Sequence, residues 1–170
     1  MRETDDDLAR LRGLLEQTYA RAGDHLRAIH LPATRVDPAR LVRELDGMRV
    51  LVVATVTADG RPLTGPVDGW FYRGRWHFGT SPSSVRARHL ARRPAVSATY
   101  ADGERFVCTV HGTAQEVDLA TYDGGGFSHV LRDFYGQGWL NEVGSGAPYW
   151  AIEADRLLAA DVSVLAAGAG

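Results

Sequence analysis

The 170-residue chain contains no lysine, so all 19 of its basic residues are arginine. Any cation that meets an anionic ligand here must therefore be a guanidinium. Lysine-free, Ala/Gly/Arg-rich usage is most simply a high-GC coding bias. Cysteine is nearly absent too. The single Cys108 excludes an intrachain disulfide and any cysteine-rich metal site, and it sits in an apolar strand pattern as a small core residue. No apolar run approaches the roughly 18 residues of a membrane span. The acidic, polar N-terminus, MRETDDDLARL, is unlike a secretory signal. Together these absences lead to the expectation of a cytoplasmic protein without a membrane partner. A formal net charge of -2 argues against a general nucleic-acid binder. The six histidines lack metal-type spacing and there is no HExxH, so no metal is expected. Neither GxGxxG nor GxxxxGK[ST] occurs, which leaves a Rossmann fold and a P-loop unsupported.

What is present is an ordinary globular composition, 45% hydrophobic and 24% charged, in a length that suits one domain with a real core. Residues 5–28 carry apolar positions three and four apart (Leu8, Leu11, Leu14, Leu15) and read as helix. Asp37-Pro38 starts a second helix, with Asp as N-cap and Pro as first residue, that stops at Gly47. From Arg49 the period changes. Val50–Thr57 is a continuous β-branched run that reads as a buried strand. Ala58-Asp59-Gly60 is a hairpin signal, Arg61–Tyr72 a second strand bent near Gly65-Pro66 or Gly69, and Arg75–Thr80 a third. A helix over Ser83–Arg92 follows, then strands Ala95–Tyr100 and Arg105–Val117, the latter with Gly112 as a bulge. Asp118–Tyr135 reads as helix interrupted by Gly124–Gly126, Gly136–Pro148 as loop, and Tyr149–Glu153 and Leu158–Val164 as two closing strands. About six short strands with tight turns predict a mainly β protein, a small antiparallel β-barrel with added helices.

The densest chemistry lies in WHFGTSPSSVRARHLARRP, residues 76–94. A strand runs into Gly79-Thr80-Ser81, and a helical pattern carrying Ser83, Ser84, Arg86 and Arg88 follows Pro82. Hydroxyls, free backbone N–H groups and guanidinium groups at a strand-to-helix turn suit a phosphorylated ligand. A capped surface helix with solvated arginines is the plain alternative, and the motif alone divides the two evenly.

In order and spacing, these parts resemble the FMN-binding split barrel of the pyridoxamine 5'-phosphate oxidase-like superfamily. The matching pieces are Leu51–Thr57, Asp59-Gly60-Arg61-Pro62, Gly65–Tyr72, Trp76–Thr80, Ser84-Val85-Arg86, Leu90 and Pro94-Ala95-Val96. They divide the chain into an N-terminal helical extension (residues 1–40), a split-barrel domain (41–165) and a frayed tail (166–170). The resemblance implies a homodimer with one flavin-type cofactor in each of two clefts between subunits. It implies that Thr80, Ser81 and Ser84, beside Gly79, donate to the phosphate, that Arg86 stands where the family often has lysine, and that Arg88 is a further partner one turn on. It implies that Thr64, Gly65, Pro66 and Val67 pass beneath the ring, with Trp70 and Phe78 as aromatic walls or core. The expected cofactor is FMN, with deazaflavin coenzyme F-420 second and haem third. The expected activity is a flavin- or deazaflavin-dependent oxidoreductase acting on a small organic substrate; a non-catalytic flavin, deazaflavin or haem carrier is the alternative. No catalytic side chain is required, since the cofactor carries the chemistry. Vitamin B6 oxidation itself is not expected: the basic second-strand signature is replaced by Arg61-Pro62-Leu63-Thr64-Gly65-Pro66, and Leu158–Gly170 contains no arginine.

Several residues outside the motif carry competing readings. Asp68 is either a general base or an ordinary strand carboxylate. His77, His89 and His111 read as structural, with His77 and His111 as the candidates for an axial haem ligand. Ser128-His129 with Asp133 lacks a nucleophile elbow. Trp139, Tyr149 and Trp150 read as late core, dimer interface or lid, with Trp150 assigned to the interface and the glycines of 124–126 and 136–146 supplying lid mobility.

Overall fold

The computed structural model describes residues 2–29, 32–139 and 146–164. Helix α1 (Asp5–Ala20) begins with a capping box. The Thr4 hydroxyl accepts from the Asp7 N–H at 3.2 Å, and the Asp7 carboxylate accepts from the Thr4 N–H at 2.9 Å. The expected single helix over 5–28 breaks at Arg21–Gly23 and resumes as α2 (Asp24–Ile29). Glycine is the weak point of that stretch because it loses the most backbone entropy in a helix. Helix α3 (Pro38–Glu44) starts as expected, with the Asp37 side chain accepting from the Arg40 N–H at 3.0 Å.

Strands β1 (Met48–Val56), β2 (Pro62–Tyr72), β3 (Arg75–Gly79), β4 (Ala95–Asp102), β5 (Phe106–Val117) and β6 (Tyr149–Asp161) close an antiparallel barrel in the order β1-β2-β3-β6-β5-β4. Helix α4 (Val85–Leu90) joins β3 to β4. Helices α5 (Gly126–Tyr135) and α6 (Gln137–Trp139) lie between β5 and β6. The fold class is thus the one expected: mainly β, six strands, one barrel.

Three expectations change. The closing strands Tyr149–Glu153 and Leu158–Val164 are one strand, β6. The polar Ala154-Asp155-Arg156 that interrupts the apolar pattern is a bulge inside it. His111 pairs with Arg156 and Gly112 with Ala154, so Asp155 has no opposite residue. Gly112 permits this, since a Cβ there would stand 2.0 Å from the Glu153 carbonyl oxygen. Second, β1 is not buried on both faces: Leu51 and Val53 point into the barrel, while Val50 and Val52 are 56% and 45% exposed. Third, Trp150 is not at a surface. It is 4% exposed and stacks on Phe78 at 5.7 Å inside the barrel.

Two apolar clusters result. The larger fills the barrel with Leu51, Val53, Trp76, Phe78, Val110, Trp150 and Ile152. Leu11 and Leu15 of α1 join it, and α1 is pinned to β6 by two hydrogen bonds. Tyr19 donates to the Ala159 carbonyl, and the Leu157 N–H donates to Thr18 at 3.1 Å. The smaller cluster lies on the outer face of β2, β3 and β6, where α5 lays Phe127, Val130 and Leu131 over Trp70, Tyr72 and Tyr149. Period-two alternation along β3 explains the division: Trp76 and Phe78 face inward, and His77 faces α5.

Candidate functional site

The strand-to-helix turn after β3 is flanked by two depressions. The larger, about 530 Å³, lies between β2, the 79–82 turn, the end of α5 and the start of β6. Its walls include Val67, Asp68, Trp70, Thr80, Ser81, Tyr135 and Tyr149. The smaller, about 300 Å³, is lined by Thr55, Leu63, Thr64, Ser84, Val85 and Arg86. Gly79 lets the first form. A Cβ there would meet the Tyr149 ring at 2.6 Å, so only glycine allows that ring to lie flat against the end of β3.

Arg86 lines the smaller depression and reaches Thr80, which lines the larger. Its Nη2 donates to the Gly65 carbonyl at 3.1 Å and its Nη1 to the Thr80 hydroxyl at 3.5 Å. The side chain is half-buried, and burial alone pulls its pKa down, with no carboxylate acting on it among the described residues. A guanidinium in that situation has lost water without gaining a counter-charge. The hydroxyls continue outward from it. Thr80 donates to Ser84 Oγ at 3.2 Å, and the Ala87 N–H donates to the same oxygen at 3.0 Å, the N-cap bond of α4. With both bonds accepted, the Ser84 O–H hydrogen is left to donate, and no acceptor for it lies among the described residues. The chain Arg86→Thr80→Ser84 is therefore a polarised row of donors ending at the smaller depression.

The larger depression has the opposite character. Asp68 is the acidic side chain among its described lining residues, and the Tyr135 hydroxyl donates to Asp68 Oδ2 at 2.5 Å. Burial, and next the Asp68 carboxylate, push the Tyr135 hydroxyl well above its ordinary pKa of 10.0; Tyr149 is raised by burial and by the Asp68 charge. Both phenols stay protonated at neutral pH. Trp70 forms the apolar back wall, edge-on to Phe127, Phe134 and Tyr135.

Of the ten expected site residues, Val67, Gly79, Thr80 and Ser81 share the larger depression, and Thr64, Ser84 and Arg86 share the smaller. Gly65 lies beneath Arg86, whose Nη2 would be 2.9 Å from a Cβ there. Pro66 is exposed opposite Val52, on the outer face of the β1–β2 pair. Arg88 turns back to the Ser83 carbonyl at 2.7 Å. Tyr135 was not singled out by the sequence, which marks it only as the last residue of a helix. Phe78 belongs to the core. The Trp139 side chain and most of the loop expected to act as a lid (140–145) lie outside the described residues, as does the 166–170 tail.

No histidine lines either depression among the described residues. His77 is fully buried, shares hydrogen bonds with the Arg75 carbonyl (3.1 Å) and the Tyr122 hydroxyl (3.0 Å), and is pushed by burial to a pKa of about 3. His111 pairs with Ser97 at 2.8 Å on the outer face of β5, and His89 with Thr55 at 3.0 Å. No group of three metal-ligating side chains occurs among the described residues, and none of their helices is long and apolar enough to cross a membrane.

Neither a family model nor a curated protein matches the sequence. Solved structures do match. Rv2991, a conserved hypothetical protein from Mycobacterium tuberculosis, aligns at 20% identity over 81% of this chain and 92% of its own, with a TM-score of 0.68. HutZ, the haem storage protein from Vibrio cholerae, aligns at 19% over 74% and 95%, TM-score 0.59. An F420 reductase aligns at 18% over 67% and 92%, TM-score 0.52. The chain is a split barrel of the pyridoxamine 5'-phosphate oxidase-like fold. The resemblance carried by the order of the sequence motifs is the fold observed. At these identities the split-barrel neighbours share an architecture with this chain, and its chemistry rests on its own residues.

Proposed function

We propose that this split barrel binds a flavin-type cofactor, FMN or deazaflavin coenzyme F-420, and works as an oxidoreductase on a small organic substrate. The observation that carries the reading is the desolvated, carboxylate-free Arg86 at the head of a donor row that ends in the smaller depression. An anionic tail would supply the missing counter-charge there and the missing acceptor for Ser84. The larger, aromatic-walled depression is lined by Thr80, the hydroxyl Arg86 bonds, and has the apolar surface that a planar ring requires. One depression for an anion and one for a ring, linked through the Arg86–Thr80 bond, fit a phosphorylated ring cofactor. The F420 reductase among the structural neighbours is consistent with the deazaflavin option.

When bound, such a cofactor supplies the hydride or electron chemistry. The chain's own work is binding and orientation. Arg86, Thr80 and Ser84 hold the anion, Thr64 adds a hydroxyl to the rim, and Val67 and Trp70 present apolar surface to the ring. Tyr135 and Tyr149, protonated at neutral pH, narrow the cleft and limit water.

Haem fits less well. An axial ligand from this chain would come from His77 or His111; the first has both ring nitrogens engaged beneath α5 and the second lies on the outer face of β5. Storage of haem, the activity in HutZ's name, is therefore not the reading these residues favour.

A homodimer belongs to the proposal. Val50 and Val52 leave an apolar stripe on the outer barrel face beside Pro66, the surface a second copy would cover. Titrating the purified protein with FMN and with F-420, followed by cofactor fluorescence, tests the reading. Saturable binding of either supports it; binding of neither at millimolar concentration overturns it.

A further inference from the structure

The larger depression pairs flat aromatic walls with a single ionised group among its described lining residues, and that group is negative. Asp68 lies on β2, opposite Val50, and its Oδ2 accepts from Tyr135 of α5. A carboxylate accepts about four hydrogen bonds. Oδ1 has no partner among the described residues, so acceptor capacity remains on the side away from Tyr135. The positive charge of the neighbourhood, Arg86, lines the other depression. Trp70, Tyr135 and Tyr149 add aromatic rings, whose faces attract a cation.

We propose that Asp68, anchored by Tyr135, makes the exposed rim of the larger depression, beyond the surface assigned to the cofactor ring, a subsite for planar organic compounds bearing a cationic or N–H-rich group, and a poor site for carboxylates. This deepens the oxidoreductase reading by naming the chemical class of its substrate, and it rests on that reading for the word substrate. The carboxylate acts in two ways. It offers charge-assisted acceptor positions to an amine, amidine or protonated heterocycle. It also repels an anion, and because Asp68 is exposed that repulsion is strongest at low salt. A merely structural Asp68, present to tether α5, would need the hydrogen bond from Tyr135 but not the charge, and the two roles separate by substitution.

The probes are three flat compounds of one shape: 2-naphthamidine (cation), 2-naphthamide (neutral) and 2-naphthoate (anion). Their affinities for the full chain are measured at low and physiological salt by intrinsic fluorescence and calorimetry. The expected order is amidine, amide, naphthoate, with the amidine at least about tenfold tighter than the naphthoate, the worth of one charge-assisted hydrogen bond. Asp68→Asn retains an oxygen for Tyr135 and removes the charge; it should bring amidine and naphthoate within about threefold of each other, a gap of less than 1 kcal/mol. Tyr135→Phe retains the charge and should retain the preference. Equal affinities in the parent protein, no binding of any probe, an unchanged ratio in Asp68→Asn, or a ratio lost as fully in Tyr135→Phe as in Asp68→Asn would each overturn the subsite. FMN and F-420 titrations of the same samples keep the two proposals apart. Failure of both cofactors to bind with the probe ratio intact sinks the cofactor reading alone, and cofactor binding without a probe ratio sinks the subsite alone.

Discussion

The inside of this barrel and the outer shelf along β1, β2 and the β3–α4 turn share strands, yet they follow different rules. The interior is complete within the chain: Leu51, Val53, Phe78, Trp150 and Ile152 are buried, and each finds its partners in the same cluster. The shelf is unfinished. Arg86 is desolvated without a counter-charge, Ser84 has a hydrogen to give, Asp68 has acceptor capacity to spare, and Val50 and Val52 are bare. On the proposed function, the unmet groups of the shelf are where ligands and a second copy would bind, while the filled interior serves stability. Substitutions inside should therefore unfold, and substitutions on the shelf should unbind.

Trp150→Ala should have the largest effect. Removing a buried indole stacked on Phe78 should cost about 3–5 kcal/mol of stability, read from urea unfolding. A variant as stable as the parent but altered in self-association would return Trp150 to an interface and dissolve the distinction. Arg86→Ala comes next, from the shelf. It should weaken FMN or F-420 binding by about 1.5–3 kcal/mol, more at low salt than at high, and leave the urea midpoint nearly unmoved. Equal affinity for parent and variant at every salt concentration would take Arg86 out of the site.

The His77 layer beneath α5 sharpens the comparison through pH. Burial lowers the folded-state pKa of His77 from 6.5 to about 3, so between those values the unfolded chain binds the extra proton. Stability contributed by neutral His77 is complete above about 6.5 and is lost as pH falls toward 3. His77→Gln should flatten the stability profile across that window; an equally steep profile would show that other groups set it. The smallest effect on the fold is expected from Val52→Asp. Unfolding of the dilute chain should shift by no more than about 0.5 kcal/mol, because the position is exposed. Sedimentation should nevertheless show at least a tenfold weaker dimer, since a carboxylate would be buried in the apolar stripe. Unchanged association would move the dimer contact elsewhere.

Much of this division was legible in residue order, and the reasons differ by element. The β1–β2 hairpin followed from Asp59-Gly60, where Gly60 adopts a φ of 83° that other residues avoid. The turn at residues 79–86 followed from the hydroxyl and arginine spacing, and the structure gathers Thr80, Ser84 and Arg86 around one row of hydrogen bonds. Tyr135 escaped notice because its partner, Asp68, is 67 residues away and no local pattern links them. The single strand β6 was read as two because a bulge and a loop look alike when only hydropathy is visible. The inward turn of Trp150 was missed for a related reason: its phase depends on which strand lies beside it.

Sequence alone determined strands β1 to β5, the capped start of α3, the absence of lysine and of cysteine pairs, and the place where hydroxyls and arginines concentrate. Those are local facts, set by period, cap and turn within a few residues. Only the closed barrel decided that Arg86 would lose its water without meeting a carboxylate, that Asp68 would face Tyr135, and that β1 would hide Leu51 while baring Val52. Such outcomes depend on neighbours far away in the chain, and burial and charge are properties of the assembled surface.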